Sequence, residues 1–543
     1  MDSPRDKVQD LTVVCAGGLD NKNTFLELSR NTPGAATKLI NFEPGLYGGY
    51  RRINGFQYLN ATYPEVDPTN AEGAVLGIVI YNDEIYAMRK QQSGTTYKVY
   101  KYDAGSGWVA QTLGFTLNTV SGSKTVRRIR YDVFNFGDGK TLCFVDGVNN
   151  ATLFDGTNWS QINSADTGAD FAHAGGAQAL DAPAWVKSFS QHLFLTDDPD
   201  NPSIVAHSVP RSAYDFTTAN GAGQIVIGWD INAFKPWRDR LYVFGRENIG
   251  YISLSNTDFV FKNVSDGVGC VSPDTLVEIN GDLLFLSQDG FRPIAGTDKV
   301  DDVELSTLSR KVQKLVKDLA DTYPDEEVTS VVIRQKSQVR FFFNSATVTT
   351  ADTRGIIAGI RETNGEMSWE WGELLGIQAY SVTSGWINNT EYILHGDYAG
   401  NVFRQELGNN FNGDNIQAVY ATPYLDINSP LIRKKMRNLY VFIESEGTVD
   451  LQATINYDWK DPNKLNPTAY TLEGSDVDAS IYGGTDALYG GTGIVYGAGI
   501  FPVIQEGIQG TFYSIQASFS TNGTEAPYAI QTLIYEFTPQ GRR

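Results

Sequence analysis

This 543-residue sequence has few cysteines and histidines, and it has no long apolar run. Its three cysteines, Cys15, Cys143 and Cys270, are far apart and odd in number, which excludes a disulfide framework and a CxxC metal motif. The four histidines follow none of the spacings that metal sites use, so we predict neither a metal nor a cofactor. The apolar run at residues 75–81 is too short to cross a bilayer, and the amino terminus has no apolar signal core. We therefore expect a soluble protein that is made in a cytoplasm and has no membrane span.

Basic residues are also scarce, with 43 Lys and Arg against 63 Asp and Glu and a net charge of −20. A protein that wraps nucleic acid neutralises phosphates with clustered Lys and Arg. The composition therefore excludes that class of protein and predicts a surface that does not adhere to DNA.

Motifs of several enzyme classes are missing as well. The sequence has no GxSxG elbow and no Walker motif, and the glycines at 45–49 do not open a helix as a dinucleotide-binding loop would. The segment DDPDNPS (197–203) has the oxygen spacing of a calcium loop but lacks its glycine and terminal glutamate, so a solvated turn is the simpler interpretation. Partial Asp-box-like turns at 154–159 and 287–292 leave a sialidase-type propeller as the enzymatic competitor. We predict that the chain is not an enzyme.

A strand pattern repeats between about residues 75 and 410. Seven segments combine a polar turn with a short aliphatic and aromatic run, in steps of 42 to 58 residues. They are 82–90, 139–147, 190–197, 238–246, 281–290, 337–344 and 390–397. Because a four-stranded propeller blade takes about 40–50 residues, we predict an all-β protein with a β-propeller of about seven blades.

Residues 301–326 have helical periodicity instead. The apolar positions that show it are Leu305, Leu308, Val312, Leu315, Val316 and Leu319. Pro324 closes the run. We predict one amphipathic helix, inserted in a blade and packed on the propeller.

After about residue 411, longer alternating segments predict half-buried antiparallel strands. We predict three regions: an arm (1–74), the propeller (75–410) and a C-terminal β-domain (411–543). The arm and the C-terminal segment together would build a β-sandwich-like platform.

In the glycine-rich stretch 480–502, Tyr482, Tyr489 and Tyr496 each precede a glycine. These tyrosines either anchor on a neighbouring subunit or belong to a plain mobile loop.

The arm contains the stretch NFEPGLYGGYRRINGFQ (41–57), which follows neither a helix nor a strand pattern. Its candidate interface residues are Pro44, Gly45, Gly48, Gly49, Arg51 and Arg52. Glycines permit a tight or left-handed backbone near another surface, and arginines form forked bonds to carboxylates. The arm therefore either docks on a neighbouring protein or closes its own fold.

Two basic runs stand out in the acidic chain, KTVRRIRYD (124–132) and LIRKKMRNLY (431–440). In the second, Arg433, Lys434, Lys435 and Arg437 are candidate interface residues. Strand alternation would place most of these charges on one exposed face. Such a face could contact phosphate, but an acidic neighbouring subunit is the favoured partner.

Four segments carry a family resemblance, in the order and spacing in which they occur. They are NFEPGLYGGYRRINGF, the blade pair from PWRDRLYVFG to LLFLSQDG (236–294), the helix ELSTLSRKVQKL, and the strand RKKMRNLYVFIE. Together they resemble the tail nozzle and hub proteins of short-tailed bacteriophages, a group that includes tail tubular protein B and the packaged-DNA-stabilisation proteins. The resemblance covers most of the chain through short motifs, and residues 482–499 have no assigned counterpart.

The resemblance implies a structural virion protein in the phage tail, assembled in the host cytoplasm. Six copies would form a ring below the portal and tail adaptor, continue the DNA channel, retain packaged DNA and guide its ejection. The implied partners are other copies of the chain, the tail adaptor, tail fibres or spikes, and double-stranded DNA that passes through without specific binding. The net charge of −20 suggests a lumen lined by acids, which would not arrest DNA in transit.

Two other interpretations stay open. One is a receptor-recognition propeller that binds or cleaves glycans and acts as a monomer. The other is a bacterial scaffold propeller unrelated to phage.

Overall fold

The computed structural model describes residues 7–45, 48–69, 73–91, 94–162, 181–199, 201–256, 258–294, 307–347, 349, 352–363, 366–447, 449–461, 466–474 and 503–541. Most of its regular structure is β-strand, so the predicted all-β class is confirmed.

Five short strands and one helix precede the repeated region. They are β1 (Gln9–Val14), α1 (Phe25–Asn31), β2 (Lys38–Ile40), β3 (Phe42–Pro44), β4 (Tyr50–Arg52) and β5 (Phe56–Tyr58). A capping box starts α1, because Thr24 and Glu27 satisfy each other's backbone N–H groups.

The repeated region consists of short antiparallel strands. In its first half they are β6 (Val75–Tyr81), β7 (Glu84–Lys90), β8 (Thr96–Asp103), β9 (Gly107–Ala110), β10 (Leu117–Asn118), β11 (Val120–Ser121), β12 (Lys124–Thr125), β13 (Arg130–Asn135), β14 (Lys140–Val145), β15 (Thr152–Phe154), β16 (Trp159–Gln161), β17 (Trp185–Phe189), β18 (His192–Asp198), β19 (Asn201–His207) and β20 (Gly223–Val226). In its second half they are β21 (Ala233–Trp237), β22 (Arg240–Phe244), β23 (Ile249–Ser255), β24 (Asp258–Ser265), β25 (Val277–Ile279), β26 (Asp282–Ser287), β27 (Gly290–Pro293), β28 (Val328–Ile333), β29 (Gln338–Phe343), β30 (Arg354–Thr363), β31 (Glu366–Leu375), β32 (Ser381–Ile387), β33 (Thr390–Gly396) and β34 (Val402–Gln405).

Longer strands follow at the C-terminal end. They are β35 (Ile416–Ala421), β36 (Arg433–Ser445), β37 (Val449–Tyr457), β38 (Tyr470–Gly474), β39 (Val503–Gly507), β40 (Thr511–Phe512), β41 (Ile515–Gly523) and β42 (Tyr528–Gly541).

Six separate sheets form a six-blade β-propeller arrangement. They consist of β6–β10, β13–β16, β17–β20, β21–β24, β25–β27, and β32–β34 with β5. The predicted propeller is confirmed, but the predicted count of about seven blades is not. The seventh predicted unit, β28–β31, is not a sheet of its own, because β31 pairs with β2 and thereby joins a nine-stranded sheet.

The seven predicted segments all contain strands, and each strand is the second of its group: β7, β14, β18, β22, β26, β29 and β33. Several first and second strands are joined by two-residue turns. Asn82–Asp83, Ser190–Gln191, Asn280–Gly281 and Asn388–Asn389 have positive φ at both positions. Such turns match the twist of antiparallel strands, and Asn, Asp and Gly tolerate their backbone best.

The predicted helix is present but shorter than the sequence pattern. Helix α2 spans Gln313–Thr322, and a single 3₁₀ turn, Arg310–Val312, precedes it. Its apolar stripe, Leu315, Val316 and Leu319, is buried in the core that also contains residues of β28 and β29. Residues 301–306 of the predicted helix lie outside the described residues. None of the described helices has the length and apolar character that a membrane span requires.

The two ends of the chain share sheets. In a seven-stranded sheet, β42 pairs with β1 and β4 from the arm and with β36. In the nine-stranded sheet, the order is β28-β29-β30-β31-β2-β35-β41-β37-β38, so arm strand β2 lies between propeller-region strands and C-terminal strands. Residues from both sheets pack in one apolar core. Arm strand β5 instead pairs with β34 and completes the last blade.

Candidate functional site

The glycine-rich arm stretch forms a hairpin in which Pro44 ends β3 and Gly45 begins the turn. The Gly45 N–H donates to the Gly49 carbonyl (3.0 Å), and the Gly48 N–H donates to the Gly45 carbonyl (3.1 Å). Gly48 and Gly49 have φ of +99° and +73°, where side chains are disfavoured. A Cβ on Gly49 would lie 2.3 Å from the carbonyl oxygen of Ile530. The surface that this glycine approaches therefore belongs to the same chain.

Arg52 points into the fold. Its side chain is fully buried and donates to the carbonyls of Glu525 (2.5 Å), Asn409 (2.8 Å) and Gly523 (3.2 Å). Burial lowers the pKa of Arg52, because the guanidinium has left water for uncharged acceptors. This arginine ties the arm to the end of the propeller region and to a C-terminal segment of its own chain.

Arg51 points to the other side of the hairpin and is partly exposed. It bonds Glu446 (2.6 Å) and Glu43 (3.1 Å). Burial lowers its pKa, but the two carboxylates outweigh that effect and raise the pKa above its usual value. The forked bonding predicted for this arginine is present, with carboxylates of the same chain as acceptors.

Beside Arg51, two cations and two carboxylates form a closed cycle that we call the arm network: Glu43, Lys336, Arg340 and Glu406. Lys336 lies 2.6 Å from Glu43 and 2.5 Å from Glu406. Arg340 also contacts both carboxylates, at 3.2 Å for Glu43. Burial opposes ionisation of Glu406, but Arg340 and Lys336 outweigh it and lower the pKa to about 2. Glu406 therefore stays ionised although its side chain is largely buried.

The arm network joins three parts of the chain that are distant in sequence. Glu43 lies in β3, and Glu406 directly follows β34. Lys336 lies in the turn before β29, and Arg340 lies in β29 itself. None of these four residues was predicted from the sequence as part of a functional site. A signal was present in SQVRFFFN (337–344), where Arg340 is the one charge among apolar residues, since a buried cation requires an anionic partner.

These placements favour the hypothesis that the arm closes its own fold. The two terminal nitrogens of Arg52 donate to backbone carbonyls of the same chain, and the guanidinium of Arg51 bonds two of its carboxylates. The docking role of the arm on a neighbouring protein stays a prediction.

The basic strand β36 alternates as predicted. Arg433, Lys435 and Arg437 are exposed, and we call them the cation row. Arg433 bonds the hydroxyl of Thr511 (2.6 Å), and Arg437 bonds that of Thr538 (3.0 Å). Three positive side chains therefore lie on one solvent-facing side of a strand, which suits contact with an acidic surface.

Lys434, from the same run, points inward. Its ammonium group donates to the carbonyls of Asp426 (2.8 Å), Ser429 (2.7 Å) and Ile432 (3.1 Å). Burial lowers its pKa to about 8, although Asp426 opposes the shift. Lys434 therefore holds the 426–432 loop of its own chain, and its role in an interface stays a prediction.

The first basic run is also used inside the chain. Arg128 and Arg130 contact the two carboxylate oxygens of Asp274 at 2.6 and 2.7 Å. Burial opposes ionisation of Asp274, but the two guanidinium groups outweigh it and lower its pKa to about 2. The expectation of one exposed basic face in 124–132 is wrong for these two arginines, because both turn towards an acid in a later blade.

Two other features predicted from the sequence are the glycine-rich stretch with its tyrosines and the calcium-loop-like segment. Tyr482, Tyr489 and Tyr496 lie outside the described residues, as does part of 197–203. Among the residues that the structure describes, no group of three His, Cys, Asp or Glu side chains could hold a metal ion.

Comparison with known proteins gives distant structural similarity only. No family model and no curated protein matches the sequence. An ancestral GH74 enzyme matches 68% of this chain at 12% identity with a TM-score of 0.40, and the match spans half of that enzyme's length. An exo-beta-1,3-galactanase from Phanerochaete chrysosporium matches 89% of this chain and 100% of its own, at 8% identity and a TM-score of 0.26. The Pan2 WD40 domain of Neurospora crassa matches 65% of this chain and 95% of its own, at 7% identity and a TM-score of 0.33. At these scores the similarities carry no argument about function.

Proposed function

We propose that this chain is a structural protein of a short-tailed phage tail, a nozzle or hub that continues the DNA channel and retains packaged DNA. The observation that carries the proposal is the nine-stranded sheet. In it, strand pairing continues from β28 to C-terminal strand β38 through arm strand β2, which pairs with β31 at Ile40–Glu373 and with β35 at three positions. A body joined in this way has no flexible linker at that junction, which suits a part that must resist force from a packed genome.

Within this proposal, β28–β31 acts as a seventh blade. Strand β28 lies beside β25 on one side and β32 on the other, as the first strand of a blade would. The arm and residues 411–543 then form the platform, with 75–410 as the propeller. The shared core of the two terminal sheets supports that division.

We assign the contact between copies to the cation row. The chain has 20 more negative than positive charges, so another copy offers abundant acidic surface to Arg433, Lys435 and Arg437. Six copies would form a ring whose lumen is lined by acids, and the tail adaptor and fibres or spikes would bind its outer surfaces. A map of the assembled ring with a basic lumen would refute the placement of the acids.

Negative-stain microscopy and analytical ultracentrifugation of the purified chain test the proposal. We expect six-fold rings from the wild type and their loss in the triple variant Arg433→Glu/Lys435→Glu/Arg437→Glu. The matched control is Lys98→Glu/Lys262→Glu/Lys317→Glu, which makes the same change in charge at exposed positions scattered over the surface. The control should still form rings.

A wild-type chain that stays monomeric at all concentrations and binds or cleaves glycans would instead support the receptor-recognition alternative. A monomer with neither property would leave the bacterial scaffold interpretation.

A further inference from the structure

A cavity of about 600 Å³ lies among the first strands of several blades. First strands of neighbouring blades lie side by side, as β13 with β17, β17 with β21, and β28 with β32. They therefore surround the propeller axis. We call the cavity the axial cavity, and its polar lining includes Tyr131, Lys235, Glu278, Ser330, Arg334 and Ser384.

Several residues of this lining carry hydroxyl groups. The Tyr131 hydroxyl lies 2.7 Å from that of Thr383, and the Ser384 hydroxyl accepts from Arg334 (2.9 Å). A hydroxyl can both donate and accept, so such a wall can exchange hydrogen bonds with the hydroxyls of a ligand. The volume is within the range of about 300–1,000 Å³ that small-molecule sites occupy.

Lys235 is the group in this cavity that most needs a partner. Among the described residues, its ammonium has one acceptor within hydrogen-bonding distance, the Leu276 carbonyl at 3.5 Å, for three N–H donors. Burial and then Lys187 lower its pKa to about 8, and Glu278 only partly offsets them. Lys235 is therefore a cation without a full counter-charge.

Asp132 also acts on Lys235, and it partly offsets the effect of burial on the pKa of the lysine. Its carboxylate is already engaged, because it accepts from Lys187 (3.1 Å) and from the Ser188 hydroxyl (2.8 Å). An anion that enters the cavity would supply the acceptor that Asp132 does not.

We propose that the axial cavity binds a small hydroxylated organic anion, of about the size of a sugar and with a carboxylate or phosphate group. Lys235 pairs with the anionic group, and Arg334 adds a second positive charge. The hydroxyl groups of Tyr131 and Ser384 bond the ligand's hydroxyls, and Glu278 accepts from them. This binding is independent of ring assembly and of the proposed tail function.

Isothermal titration calorimetry on the full chain tests the site, with D-glucuronate as the anionic probe, D-glucose as its neutral counterpart and inorganic phosphate. We expect glucuronate to bind at least about tenfold more tightly than glucose, because the carboxylate meets Lys235. Lys235→Met should weaken glucuronate binding about tenfold or more. Lys262→Met, the same change on the exposed outer strand of the same blade, should leave the affinity unchanged.

Arg334→Gln is the second variant, in case Lys235→Met alters the fold; it should weaken glucuronate binding about threefold or more. A glucuronate-terminated disaccharide distinguishes a free metabolite from the end of a glycan, since only the latter should gain affinity from the second sugar. Equal affinity for glucose and glucuronate, or wild-type affinity in both cavity variants, would overturn the proposal. Absence of binding at about 50 mM of every probe would also overturn it and leave an acidic side chain of another protein as the occupant.

Discussion

Arg340 and Glu43 form an ion pair of 3.2 Å in which the side chains are 0% and 2% exposed. Glu43 belongs to the N-terminal arm, and Arg340 lies 297 residues later in β29. Because neither group reaches water, each depends on the other and on the rest of the arm network for its charge balance. The arm is therefore held to the propeller region by buried electrostatics as well as by strand pairing.

The first prediction concerns that pair. Arg340→Met should lower the free energy of unfolding by about 3–5 kcal/mol, because it removes one of the two cations that pair with buried Glu406 and one of the three that pair with Glu43. Urea denaturation followed by tryptophan fluorescence measures the change. Lys101→Met is the control: it breaks the exposed Lys101–Glu84 pair (3.1 Å) and should cost less than about 1 kcal/mol. Equal losses in the two variants would contradict the role of the arm network.

The second prediction concerns acid stability at Asp274. Its pKa is about 2 in the fold and 3.8 ordinarily. A carboxyl whose folded pKa is depressed stabilises the protein above the unfolded value and loses that contribution as the pH falls towards the folded value. Between pH 3.8 and 2, Asp274→Asn should therefore lose less stability than the wild type, by about 2 kcal/mol. Urea unfolding at several acid pH values measures how the free energy of unfolding changes with pH in the wild type and in Asp274→Asn. The control variant Asp258→Asn, at an exposed strand end, should show the same change with pH as the wild type.

The third prediction compares two neighbouring glycines of the arm turn. Both have positive φ, but a Cβ on Gly48 would meet open space, whereas one on Gly49 would lie 2.3 Å from a backbone oxygen. Gly48→Ala should cost about 1–2 kcal/mol from the backbone conformation alone. Gly49→Ala should cost more, because β42 must also move. Melting temperatures of the two variants decide the order, and the opposite order would show that the hairpin does not pack on β42 as described.

The fourth prediction concerns Trp459, which is 54% exposed and has a φ of +65°. Its ring lies 4.8 Å from that of Phe25 and 4.5 Å from that of Tyr424. Trp459→Ala and Trp459→Gly both remove these contacts, but only glycine relieves the left-handed backbone. Trp459→Gly should therefore be the more stable of the two by about 1 kcal/mol.

Trp386, an exposed tryptophan within strand β32, is the matched control for the fourth prediction. There the alanine variant should be the more stable one, since glycine weakens a strand by about 0.5–1 kcal/mol. Denaturant midpoints of the four variants test both orders. A Trp459→Gly variant less stable than Trp459→Ala would show that the backbone there stores no strain.

The turns between strands can be predicted from sequence because the hydrogen bonds that form each turn lie within a few neighbouring residues. In YDAGSGW and FDGTNW, Asp103 and Asp155 each accept two backbone N–H bonds inside the turn. The aromatic residue that follows packs within the blade, as Trp159 does on Phe154 at 4.1 Å.

The role of the arginines could not be predicted in the same way. Arg51 and Arg52 are adjacent and identical in type, yet one contacts two carboxylates and the other four backbone carbonyls. Arg51 also has near acceptors, Glu43 and Asn54, but Glu446 and all the acceptors of Arg52 lie more than 350 residues later. No local pattern encodes which of those segments comes near.

The amino-acid sequence by itself determined the all-β class, the repeated strand unit, the amphipathic helix α2 and the alternation of β36, since each follows from side-chain periodicity over a few residues. Only the tertiary structure decided that β28–β31 shares a sheet with both ends of the chain, and which charges are buried. Those outcomes depend on contacts between residues hundreds of positions apart, which a periodicity over a few residues cannot specify.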